Sequence, residues 1–182
     1  MELRFEDDPL ARSFVRRIPE LQARHRALGL TEEESRATIE SLPRHVRLHR
    51  LCGGEPGGWW VEWIEMIWDG KLAELGRLQF EDRGDGVLDV HIPETGLPLD
   101  PAACDASFAR AREVYPRHRV AQCTSWLLDP RLADALPATS NIVAFQRRFE
   151  LRGEGDDATE DVLRFVFHTY DPDLDRLAPR TT

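Results

Sequence analysis

Apolar residues in the first forty positions recur every three to four residues, the period of an α-helix with one buried face. Asp8-Pro9 reads as a helix start, a side-chain acceptor followed by a residue that needs no amide partner. Leu10, Phe14, Ile18 and Leu21 follow at helical spacing, Pro19 is expected to kink or divide the segment, and Gly29 to end it. Thr31 and Glu34 stand in a capping-box relation and open a second helix, which the pattern closes at about Leu42, before Pro43.

After His45 the character changes. The run WWVEWIEMIW (59–68) is aromatic and β-branched and predicts a strand, with helix as the alternative. Asp69-Gly70 predicts a hairpin turn, and the return strand ends in the alternating RLQFE (77–81). Gly84-Asp85-Gly86 offers a second turn before a third strand at 87–92, which completes an antiparallel meander. Asp100-Pro101 repeats the helix-start signal, Cys104, Phe108, Ala111 and Tyr115 line one helical face, and Pro116 stops it. A strand is expected at 120–128 and a short helix from Pro130 to Leu136. Two last strands, at 141–151 and 162–168, flank the GEGDD loop, and the tail from Asp171 is expected to dock loosely. The third and fourth strands are joined through a helix, so they should run parallel with a right-handed crossover. The expected fold class is α/β (α+β): a mixed, mostly antiparallel sheet flanked by helices, in a single domain over residues 1–182.

Composition narrows the function. A formal net charge of −9 argues against a broad electrostatic grip on nucleic acid or an anionic membrane, while leaving room for a local basic pocket. The chain has no apolar run of the roughly 20 residues that span a bilayer. Its first residues lack the basic start and apolar core of a signal peptide. Cys52, Cys104 and Cys123 are widely spaced and form no C-x-x-C pair, which predicts reduced thiols in a cytoplasmic protein. Nothing shows metal-ligand spacing, so no metal is expected.

Two segments carry a family resemblance. HIPETGLPLDP (91–101) and CTSWLLDPRLADALPATSNIVAFQRRFEL (123–151) are similar to the GNAT-like C-terminal domain of bacterial acyltransferases, and the order of elements resembles that of GNAT N-acyltransferases. The likeness covers roughly residues 59–168. It implies a sheet whose third and fourth strands splay, with the thioester arm of an acyl donor entering the gap. It also implies that the 93–100 loop and the helix from Pro101 hold the donor's pyrophosphate, because helix N-termini present free amides and partial positive charge. The activity implied is transfer of an acyl group from a coenzyme A thioester to an amine or similar nucleophile on a small-molecule acceptor. The loop departs from the usual Q/R-x-x-G-x-G/A pattern: PETGLPLD (93–100) has one glycine, two prolines and two acids. Prolines remove amide donors, and Glu94 and Asp100 repel phosphate. A phosphopantetheine thioester on an acyl-carrier protein is therefore the other donor considered, and a homodimer stays open.

Acyl transfer needs a base, donors for an oxyanion and an acid for the leaving thiolate. His91, at the end of the third strand beside the expected splay, is the favoured base, with strand-end structure as its other reading. Cys123 and Ser125 share a face of the fourth strand and would approach His91. Cys123 reads as nucleophile, pocket lining or buried packing, and Ser125 as a hydrogen-bonding group. Glu94, Gly96 and Trp126 are the expected donor contacts. Gln79, Glu81 and Asn141 are the expected substrate contacts, Glu81 doubling as second-choice base and Asn141 as a turn cap. A thioester hydrolase and a non-catalytic binding module are the competing functions. Arg147-Arg148 reads as a solvated edge, and the tryptophans at 59–68 as core.

Overall fold

Seven helices and four strands make up the described part of the chain, residues 9–54, 60–153, 158–171 and 173 of the computed structural model. Asp8, Trp59, the 154–157 part of the GEGDD loop and the end of the tail lie outside it. The first two helices are α1 (Pro9–Leu28) and α2 (Glu32–Leu51). Thr31 and Glu34 form the expected capping box. Pro19 lies within α1 without ending it, and α2 runs nine residues past the expected stop, through Pro43. Side chains take up carbonyls around Pro43: Thr38 Oγ1 donates to Glu34 O, Ser41 Oγ to Thr38 O, and His45 Nδ1 lies 2.7 Å from Ser41 O.

The segment expected as the first strand is α3 (Trp60–Trp68). Its Ile64 and Ile67 are fully buried, with Trp63 and Trp68 packed beside them. That is an i, i+1, i+4, i+5 spacing, so helical period prevailed over strand propensity. Gly70, at φ +70°, ends the helix rather than turning a hairpin: its amide donates to Ile67 O, and Lys71 N to Met66 O.

The meander is built one step later, from β1 (Leu72–Leu75), β2 (Leu78–Asp82) and β3 (Val87–His91), all antiparallel. The helix α4 (Pro101–Val114) then leads to β4 (Val120–Gln122), which pairs parallel to β3 as expected. The sheet order is β1-β2-β3-β4. The two strands expected last are helical. Residues 141–146 form α6 (Asn141–Gln146), after the short α5 (Arg131–Ala135). Residues 159–167 form α7 (Thr159–Val162), running into a π-helical turn, Leu163–Phe167. Phe145, within α6, and Phe149, just past its end, pack with their rings tilted and 5.2 Å apart.

Register separates the two faces of the sheet. One face carries Ala73, Leu75, Leu78, Phe80, Leu88 and Val90, packed on α4 and Phe145. The other begins with Leu72 against α1, α2 and α3, then turns polar: Glu74, Gln79, Glu81, Asp89, His91 and Gln122. No helix among the described residues is long and apolar enough to cross a membrane.

Candidate active site

The polar face is where chemistry concentrates. Gln79 is the Cα partner of both Glu74 and His91, and Glu81 that of Asp89, so two polar rows cross the strands side by side. In the first row Gln79 Nε2 donates to Glu74 Oε2 at 2.8 Å, and Arg44 reaches down from α2 to pair with the same carboxylate. Glu74 is 5% exposed. Burial pushes its carboxyl up, and the Arg44 charge opposes that shift. Gln79 Oε1 is buried without a partner. In the second row Asp89 accepts from Arg83 at 2.9 Å and from Gln122.

His91 joins the rows. Its Nε2 lies 3.0 Å from Glu81 Oε2, and the imidazole is half-buried. That hydrogen bond holds the Glu81 carboxyl below the usual carboxylate range, against the opposing effect of burial. An ionised carboxylate only accepts, so Nε2 carries the proton, and in the neutral imidazole Nδ1 is the atom with the lone pair. Trp63 packs edge-on to the His91 ring at 4.9 Å and lies 4.5 Å from the ring of His45. Burial lowers the His45 pKa to about 4, leaving it neutral near pH 7. An imidazole, a carboxylate and an aromatic wall thus meet at one end of β3.

That end is where the parallel strands separate. β3 and β4 pair only at Val87–Val120, Leu88–Ala121 and Asp89–Gln122, while β3 continues through Val90 and His91. After Gln122 the chain leaves the ladder, and the strand expected to reach Leu128 is replaced by a 3-10 turn, Trp126–Leu128.

The remaining expected site residues fall elsewhere. Cys123 packs against the apolar core on the α4 side, away from the polar face that holds His91. Burial, with nearby Asp89, pushes its thiol up to about 12. Ser125 caps the 3-10 turn by accepting from Leu127 N at 3.2 Å. Half-buried Trp126 opens that turn, and Gln146 holds the turn by donating to Leu127 O and Asp129 O. Asn141 begins α6 behind the cap Ser140, whose hydroxyl accepts from Ile142 N. Glu81 and Gln79 are therefore beside His91, whereas Cys123, Ser125, Trp126 and Asn141 belong to the 3-10 turn and the α4 side.

The 93–100 loop is held mainly by Arg77, from the turn between β1 and β2. Arg77 donates to Pro93 O, Leu97 O and Pro98 O, each at 3.0 Å. Thr95 N bonds to Pro93 O and Leu97 N to Thr95 Oγ1, and Gly96 takes φ +71° between them. Asp100 caps α4 by accepting from Ala103 N at 2.9 Å. The Thr95 and Leu97 amides are thus spent within the loop. Two guanidinium groups flank the loop instead, Arg77 and Arg148, the latter donating to Pro101 O and Asp105. Arg148 is no solvated edge; its side chain is 19% exposed. Neither arginine had a sequence signal, because their partners are mostly backbone carbonyls and distant residues. Glu94 meets His168 at 3.1 Å. Among the described residues no group of three or more His, Cys, Asp or Glu could hold a metal ion.

Known proteins share this fold. Residues 72–182 match the family model of a GNAT-like C-terminal domain, and residues 8–70 that of an N-acyltransferase N-terminal domain. A solved acyltransferase in complex with decanoyl-CoA and teicoplanin is 32% identical with a TM-score of 0.80, covering 98% of this chain and 62% of that one. An acyltransferase with CoA and 10C-Teicoplanin is 31% identical, TM-score 0.78, with the same coverages. A third, with decanoyl-CoA, is 32% identical, TM-score 0.80, covering 100% of this chain and 64% of that one. The chain spans less than two thirds of the length of these structures. No curated protein matches it.

Proposed function

The chain belongs to the GNAT-like C-terminal domain family, and on that footing we propose that it transfers an acyl group from a coenzyme A thioester to an amine on a small-molecule acceptor. The observation that carries this reading is the Glu81–His91 pair, placed where β3 outruns β4. The amine nitrogen attacks the thioester carbonyl and forms a C–N bond. His91 Nδ1 takes the amine proton, and Glu81 steadies the imidazolium through Nε2–H. The C–S bond breaks, and the coenzyme A thiolate leaves and takes up a proton. Trp63 keeps water from one side of the imidazole. Solved relatives that hold CoA and decanoyl-CoA support coenzyme A over a carrier protein as donor, and the relative holding teicoplanin supports a small-molecule acceptor.

The test is incubation with decanoyl-CoA and teicoplanin, following thiol release and the mass of the acceptor. Acceptor gaining one decanoyl group at the rate of thiol release supports the reading. Thiol release with free decanoic acid alone would make the protein a hydrolase, and no thiol release would remove the enzymatic reading.

A further inference from the structure

The segment after α7 concentrates two rare backbone features. Leu163–Phe167 is a π-helical turn, and His168, which ends it, sits at φ +54° and ψ +47°, the one non-glycine residue at positive φ among those described. Left-handed backbone is unfavourable for a residue with a Cβ and persists where surrounding contacts over-determine it. Glycine would relieve the strain, but it would also remove the imidazole, and the imidazole is what makes contact. His168 Nε2 lies 3.1 Å from Glu94 Oε1, in the loop that follows His91. Beyond it, Tyr170 and His49 Nδ1 of α2 are 2.7 Å apart, with their rings edge-on at 5.5 Å. Behind it, Cys52 Sγ donates to Arg164 O at 3.7 Å, and the π-helical turn packs on α2. The segment is therefore a strap, tied to α2 at both ends and to the 93–100 loop in the middle. Arg77, from the turn between β1 and β2, also holds the loop, so His168 supplies a second side-chain attachment.

We infer that the strap clamps the 93–100 loop in the form that receives the acyl donor, with His168 as the positioning residue acting through Glu94. This rests on the proposed coenzyme A donor and on the family resemblance, which implies that the 93–100 loop holds the donor's pyrophosphate. The strained His168 backbone aims the imidazole at Glu94, which removes a freedom the loop would otherwise lose on binding. His168 also places a hydrogen-bond donor on the Glu94 carboxylate.

Calorimetric binding of decanoyl-CoA to the full chain tests this without an acceptor. His168→Ala keeps the cost of positive φ and deletes the contact, while His168→Gln keeps that cost and carries an amide to about where Nε2 sits. The alanine variant should bind decanoyl-CoA about five- to tenfold more weakly and the glutamine variant within about twofold of the parent. Amide exchange at Gly96 and Leu97 should quicken in the alanine variant only. Alanine binding equal to the parent's, or glutamine as weak as alanine, would overturn the inference and leave the donor reading intact. A parent chain that does not bind decanoyl-CoA would sink the donor reading and the clamp with it.

Discussion

His91 Nε2 meets Glu81 Oε2 at 3.0 Å although the two are not cross-strand partners: His91 is opposite Gln79, and Glu81 is opposite Asp89. The contact is a diagonal one on a single face, within reach because both side chains are long. It leaves Gln79 free to bind Glu74 and lets one imidazole draw on a carboxylate without competing for it.

Removing either member of this pair separates base from orienter. His91→Ala should lower kcat with decanoyl-CoA by about 10²- to 10⁴-fold, the usual worth of a general base, with the melting temperature nearly unchanged. Glu81→Gln keeps an oxygen to accept from Nε2 but loses the charge, so a loss of about tenfold is expected, mostly in kcat. Thiol-release kinetics on both variants check this. Equal loss of activity and fold in His91→Ala would reassign the imidazole to structure.

Arg44 and Glu74 make a different prediction because Glu74 is buried. Arg44→Met leaves that carboxylate without its cation and should destabilise the fold by about 3–5 kcal/mol. Arg44→Met with Glu74→Leu removes both charges and should recover much of the loss, since paired apolar replacements are often neutral. Urea unfolding of the single and double variants measures the difference. A double variant as unstable as Arg44→Met would show that Glu74 supports the sheet by more than its charge.

Cys123 is held as a neutral thiol by burial. Iodoacetamide at pH 7.5 should leave it unlabelled in the folded chain, and Cys123→Ala should keep transfer within about threefold of the parent. Peptide mass mapping after brief alkylation gives the first readout. Rapid labelling with loss of turnover would instead point to a covalent acyl-thiol enzyme.

His25 sets the acid side of the stability profile. It is 1% exposed, its Nδ1 is 2.8 Å from Ser35 Oγ, and burial lowers its pKa from 6.5 to about 4. Between those values the unfolded chain binds a proton that the folded chain refuses. Stability is therefore flat with respect to this group above pH 6.5 and falls as pH drops toward 4. His45 acts in the same direction. His25→Gln should flatten the slope between pH 6.5 and 4 by about one proton, leaving the contribution of His45. Denaturant titrations at several pH values give that slope directly. An unchanged slope would mean that His25 is already protonated in the fold.

How far the chain could be read in advance depended on the range of the interactions. Local chemistry was legible: the Thr31–Glu34 capping box, the Asp100-Pro101 helix start and the glycine turn at 84–86 follow from neighbours within a few residues, and the parallel β3–β4 pairing follows from the helix that joins the two strands. So was His91 at a strand end, and the two family motifs carried the fold class. Residues 60–68, 141–146 and 162–167 were misjudged because short, densely apolar segments satisfy strand and helix patterns alike; what selects helix is the face available against α1, α2 and α4.

Tertiary structure alone decided the site's membership. Cys123 lies one residue past the β3–β4 pairing and packs against the apolar core on the α4 side, which parts the thiol from the polar face that holds His91. Arg44, Arg77, His45 and His168 gain their roles from partners 16 to 74 residues away or from packing across elements, which no local pattern encodes. Period and capping are written in consecutive residues. The meeting of an imidazole with its carboxylate and its aromatic wall exists only once the sheet has chosen its faces.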